Sequence, residues 1–97
     1  MLTGKQKRYL RSKANTLRTI VHIGKEGLGQ KVAGQIGEVL ESRELVKCSV
    51  LQNCPVKTKE AAGQAAELTN AEVVQTIGRK FVLYRRSQKK PVIELPQ

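Results

Sequence analysis

The stretch that most constrains this chain is Ile23-Gly24-Lys25-Glu26-Gly27-Leu28. A β-rich run, Thr19-Ile20-Val21-His22-Ile23, leads into it, and apolar residues at helical spacing, Leu28, Val32, Ile36, Val39 and Leu40, lead out of it. Two glycines therefore bracket a lysine where a strand hands over to a helix. Such a junction suits an anion, because glycine admits a close approach to the backbone and the first N–H groups of a helix lack partners. On its own G-x-x-G is no more than a tight turn. Its strand-to-helix setting and the lysine inside it give it weight.

The rest of the chain alternates in the same way. Thr3 followed by Gln6 reads as a capping box that opens a helix to about Ala14 or Asn15. Leu10, Ala14 and Leu17 share one face of it, and Lys5, Arg8 and Arg11 fall on the other. The helix after the glycines is expected over Leu28 to Arg43. It contains Gly29, Gly34 and Gly37, each costing on the order of 1 kcal/mol against alanine, so tertiary packing must hold it. Glu44 to Leu51 reads as a strand, with Val46, Cys48 and Val50 on one face, and Asn53-Cys54-Pro55 breaks it. A third helix runs from Val56 or Thr58 to Leu68, with Asn70 at a left-handed terminating position. Two strands follow, Ala71 to Ile77 and Phe81 to Arg85, joined by a tight hairpin at Gly78-Arg79-Lys80.

The order α-β-α-β-α-β-β predicts an α/β (two-layer α+β) fold with helices packed on a four-stranded mixed sheet. Parallel pairing is expected among the first three strands, with an antiparallel hairpin strand last. If the third strand runs parallel to the first, the Gly78 turn falls at the same sheet end as Gly24–Gly27. Residues 1–97 are expected to form one domain, with a core over 2–87 and a basic, then apolar, tail over 88–97. A chain of this length buries roughly 60–65% of its unfolded surface, enough for one modest core.

Charge is the loudest bulk feature, at +10 overall. Eight basic residues oppose one glutamate up to Lys31, giving +7. Four basic residues oppose six glutamates between Val32 and Gly78, giving −2, and six oppose one from Arg79 onward, giving +5. Two basic blocks around a slightly acidic middle suggest one surface, assembled by folding, that faces a polyanion. With only Tyr9, Phe81 and Tyr84 available, aromatic stacking is not expected to be the main source of affinity.

Other function classes find little support. The chain has no aspartate and a single histidine, His22, read as a solvated or partly packed strand residue. No serine or cysteine has a recognisable base and orienter, so no catalytic residue is assigned. Gly24-Lys25 is not a phosphate-binding G-x-x-x-x-G-K-[ST] loop, and no cofactor is expected. Cys48 and Cys54 lack disulfide or metal spacing, so no metal site is assigned; reduced thiols fit a cytoplasmic protein. No apolar run reaches membrane-spanning length, and the basic start lacks a signal peptide's apolar stretch.

Three motifs, Leu2-Thr3-Gly4-Lys5-Gln6-Lys7-Arg8-Tyr9-Leu10-Arg11, Val21-His22-Ile23-Gly24-Lys25-Glu26-Gly27-Leu28 and Val74 to Arg85, resemble the CRM domain (chloroplast RNA splicing and ribosome maturation), in its free-standing bacterial form. The resemblance covers Leu2 to about Ser87. It implies a fold like the C-terminal domain of translation initiation factor three, with an extra N-terminal helix. It also implies RNA binding through the glycine loop and association with precursors of the large ribosomal subunit. Gly29, Gly34, Gly37 and Asn70 depart from the family pattern, and Glu26 sits at a variable position. The expected RNA contacts are Gly24, Lys25, Glu26, Gly27, Leu28 and Lys31, with Lys5, Lys7, Arg8 and Arg11 on the first helix. Arg79, Lys80, Arg85 and Arg86 form a second flank. The partner is expected to be ribosomal RNA, met by a monomer, with a DNA-binding protein or a ribosome-bound adaptor as the alternatives.

Overall fold

A computed structural model describes residues 1–97 and has the element order expected. α1 (Gly4–Ala14) starts at the capping box: Thr3 Oγ1 accepts the Gln6 N–H at 3.1 Å, and Gln6 Oε1 accepts the Thr3 N–H at 3.0 Å. β1 (Val21–Ile23) is shorter than the run Thr19–Ile23 suggested. α2 (Gln30–Arg43) begins two residues late, because Gly29 is its N-cap and not an interior residue. Glu44, in left-handed conformation (φ 67°), turns the chain into β2 (Leu45–Val50). α3 (Thr58–Thr69) ends at Asn70 with φ 60°, as its sequence predicts, and β3 (Glu72–Ile77) turns through Gly78 into β4 (Lys80–Tyr84).

The strand order is β1-β2-β4-β3. β1 pairs with β2 in parallel, and β4 runs antiparallel to both β2 and β3. Parallel pairing among the first three strands is therefore corrected: β3 points the same way as β1 and β2 but joins them only through β4. Burial gives the reason. Phe81, Val82, Leu83 and Tyr84 are all buried, which suits a central strand, whereas Thr76 and Ile77 of β3 are exposed and suit an edge.

The sheet and the α2/α3 pair make the two expected layers. Ile36 and Leu40 of α2, with Ala61, Ala62 and Ala65 of α3, pack on Val21, Ile23, Val46, Cys48, Val50, Phe81 and Leu83. Burial pushes the Cys48 thiol up to about 12, so it is an inert core residue. α1 lies on the reverse face, where Leu10 and Ala14 meet Leu45, Val82 and Tyr84. Val74 reaches this side by alternation from Val73, and a bulge between Val73 and Gln75 brings Gln75 to it as well. None of the helices is long and apolar enough to cross a membrane.

Two glutamates fasten the tail. The fully buried Glu44 carboxylate accepts N–H bonds from Ser87 at 2.6 Å, Val92 at 2.7 Å and Ile93 at 2.6 Å. Glu41 takes the Ser87 hydroxyl at 2.7 Å and the Lys89 N–H at 3.2 Å. Ile93 and Leu95 then pack against the α1 side of the core. Burial opposes ionisation of Glu44, but the three N–H donors and the Arg86 charge outweigh it and hold its carboxyl below the usual 4.5.

A carboxyl depressed by folding stabilises the fold fully above its unfolded value, and that stability is lost as pH falls through the folded value. Stability should thus be level from neutral pH to about 4.5 and decline below it. Glu44→Gln, which replaces one acceptor oxygen by a donor facing N–H groups, should cost about 2–3 kcal/mol at pH 7 and flatten that decline. Urea unfolding of both proteins at several pH values checks this, and an unchanged decline would remove Glu44 as its source.

Candidate nucleic-acid interface

Because β1, β2 and β3 point the same way, the connections leaving them emerge at one end of the sheet. Backbone bonds tie them together: the Leu51 N–H reaches the Ile23 carbonyl at 2.8 Å, and the Val50 N–H reaches the Arg79 carbonyl at 2.7 Å. The glycine loop and the Gly78-Arg79 hairpin are therefore neighbours, as the conditional reading of the sequence required, and the 51–57 connection lies between them. α2 and α3 also start here. Their N-caps, Gly29 and Lys57, make no side-chain capping bond. The first amides of both helices and the positive ends of both dipoles are left facing this end.

The glycine loop is a tight turn. The Gly27 N–H donates to the Gly24 carbonyl at 3.0 Å, and Lys25 and Glu26 sit exposed at its tip. That amide is thus used within the turn, and the first free helix amides belong to α2 from Gln30 onward. The two glycines differ in kind. Gly27 is buried beside Pro55 with φ 67°, a conformation L residues rarely take. Gly24 has no such strain, and a Cβ there would stand 3.5 Å from Asn53 and from Leu51, an ordinary contact.

Exposed cations at this end include Lys25, Lys31, Lys57, Arg79 and Lys80. Neither ion pair of the molecule involves any of them. A groove of about 310 Å³ lies between the 51–57 connection and the hairpin, lined among others by Gln52, Lys57 and Arg79. Lys57 was not among the expected contacts. It lies in the segment whose glutamates outnumber its basic residues, so the summed charge hid it.

The remaining expected contacts are elsewhere, so only part of each basic block faces this end. Arg85 is structural: it donates to the Thr69 carbonyl at 2.7 Å and the Gly37 carbonyl at 3.2 Å, and lies 3.7 Å from Glu41. Arg86 is exposed but stands near Glu44 and the tail, at the opposite end of β4. Five strand steps separate Lys80 from Arg85, roughly 17 Å. Lys5, Lys7, Arg8 and Arg11 are on α1, on the reverse face; Lys5 donates to the Gln97 carbonyl at 3.2 Å, and Lys7 and Arg11 are half-buried. Phe81 and Tyr84 are core residues, and Tyr9 is half-buried with Lys13 Nζ 5.5 Å from its ring centre. No three His, Cys, Asp or Glu side chains gather into a metal-binding group.

Against known proteins, the family model of the CRS1 / YhbY (CRM) domain matches residues 2–85. The chain belongs to the CRM domain family. It is 49% identical over 96 residues to "Probable RNA-binding protein YqeI" of Bacillus subtilis, covering 99% of this chain and all of the relative. An "RNA-binding protein" of Haemophilus influenzae is 37% identical over 97 residues, covering 99% and 96% of the two chains. The solution structure of the hypothetical protein SAV1595 from Staphylococcus aureus, described as a candidate RNA binding protein, superposes with a TM-score of 0.82 at 50% identity, covering 99% of this chain and all of that one.

Within this CRM domain the two glycines should separate in a stability measurement. Gly27→Ala forces a side chain into left-handed backbone and should cost about 1–2 kcal/mol. Gly24→Ala should stay within about 0.5 kcal/mol of the parent. Chemical denaturation of the two variants checks this, and equal losses would contradict the distinction.

Proposed function

We propose that this CRM-domain protein binds RNA through the sheet end that carries Lys25. The observation that carries the reading is convergence: Lys31, Lys57, Arg79 and Lys80, unpaired cations from three other parts of the chain, join the exposed Lys25 turn, beside two helix N-termini without side-chain caps. Lys25, Lys31, Lys57, Arg79 and Lys80 contact phosphates, and the first amides of α2 and α3 supplement them. The names of the relatives from Bacillus subtilis and Haemophilus influenzae agree with this partner. The finer reading, structured ribosomal RNA in precursors of the large subunit with assistance to their assembly, follows from the CRM resemblance. The role is binding, with no chemical step, in the cytoplasm and as a monomer.

Phosphate contacts carry no sequence information, so Lys25→Glu should weaken binding to unrelated RNA sequences alike, by about tenfold or more. If about five phosphates are neutralised, the log–log salt slope on a single strand should be roughly −3.5. A matched DNA hairpin should bind more weakly than its RNA counterpart if 2′-hydroxyls are read. Fluorescence anisotropy on protein-free RNA and DNA measures all three. Unchanged affinity in a folded Lys25→Glu protein would remove the turn from the interface. Equal affinity for DNA would favour a DNA-binding role, and no affinity for naked RNA an adaptor.

A further inference from the structure

The reverse face of the sheet is only partly covered. α1 lies over Leu45, Val82 and Tyr84, whereas the part next to the three connections is bare. There one residue from each strand stands in register across the sheet: His22 opposite Ser49, Ser49 opposite Lys80, and Lys80 opposite Ile77. Strand alternation sets the side, since Val21 and Ile23, which flank His22, are buried on the α2/α3 face. His22, Lys80 and Ile77 are exposed, Ile77 to 63%, and Ser49 is half-buried. Four strands make the row roughly 14 Å long. Beside it a cavity of about 100 Å³ opens, lined by Asn15, Lys47, Gln75, Ile77, Lys80 and Val82.

The chemistry of the row is mixed in a particular way. An imidazole, a hydroxyl, an ammonium and an aliphatic side chain follow one another, next to the turn with Lys25 and the hairpin with Arg79. An unpaired nucleotide offers the complement: a planar base for the imidazole or for Ile77, polar base edges for Ser49 and Lys80, and a phosphate for the cations. A duplex keeps its bases stacked inside and has nothing to present to such a row.

We infer that His22, Ser49, Lys80 and Ile77 seat two or three unpaired nucleotides of the RNA whose backbone the Lys25 turn holds, with His22 as the stacking platform. The inference rests on the RNA reading and adds to it that the bound segment is single-stranded and contacted through its bases.

The test compares an unstructured RNA strand of about twelve nucleotides with an abasic strand of the same length, which has the same phosphates and no bases. The protein should bind the base-bearing strand about tenfold or more tightly. His22→Ala should bring the ratio towards one while leaving the abasic strand's affinity unchanged, and His22→Phe should restore the preference. Ile77→Ser should reduce it in part. Both positions are exposed, and circular dichroism checks the folds. Lys25→Glu should weaken both strands alike, leaving the ratio in place. Equal binding of the two strands by the parent protein, or a full preference retained by His22→Ala, overturns the inference while the phosphate-binding reading stands. Binding of neither strand overturns both.

Discussion

The placement of β4 is the constraint on which the rest of the molecule depends. Its four consecutive buried residues, Phe81 to Tyr84, have to be covered on both faces, so the strand takes the centre of the sheet between β2 and β3. A strand tightly hairpinned to β3 must also run against it. Together these conditions align β1, β2 and β3 in one direction and bring their outgoing connections to one end. The glycine loop, the 51–57 connection, the hairpin and two helix N-termini meet there without any element devoted to joining them. The candidate interface is thus a consequence of strand direction.

The opposite end is organised by buried charge. Arg85 links α2 to α3 by donating to the Gly37 and Thr69 carbonyls, and Glu44 gathers three N–H groups of the tail. Both are charged groups satisfied largely by backbone partners, which is the condition under which burying a charge is tolerable. Leaving those partners unpaired costs far more than the bonds gain, so these contacts fix how the tail lies against α1. Cations that look free in the sequence are in this way committed to structure.

Elements were legible where a local pattern decides them. The Thr3–Gln6 capping box, the alternation around Cys48 and the left-handed Asn70 all formed as their residues indicated. Strand order was less legible, because the pairing of β4 with β2 links positions more than thirty residues apart and depends on which strand is buried on both faces. The charge map was legible only in part, for a related reason. Arg79, Lys80, Arg85 and Arg86 are close in sequence, yet a strand of about 3.4 Å per residue carries the last two to the other end of the sheet. Lys57 erred in the opposite sense, since a sum over a segment with six glutamates concealed a cation that the fold delivers to the site. Left-handed Glu44 gave no signal at all, and the partners of its carboxylate lie more than forty residues away in the tail.

Negative charge also bounds the interface. The turn itself carries Lys25 and Glu26, a net charge of zero, so attraction for a polyanion comes from the neighbours that folding brings to it. On the α2/α3 side those neighbours include Glu60 and Glu67, which line a shallow cavity with Leu28 and Leu68. A phosphate chain leaving the turn in that direction would meet like charge. Towards the reverse face it meets Lys80 and then the bare row that ends in Ile77, with Asn15 of the α1 C-cap beyond. With RNA as the ligand, the same field that collects phosphates at the sheet end steers the strand over the uncovered half of the sheet. Glu60 and Glu67, which look merely neutralising when the sequence is summed, then help give the path its direction.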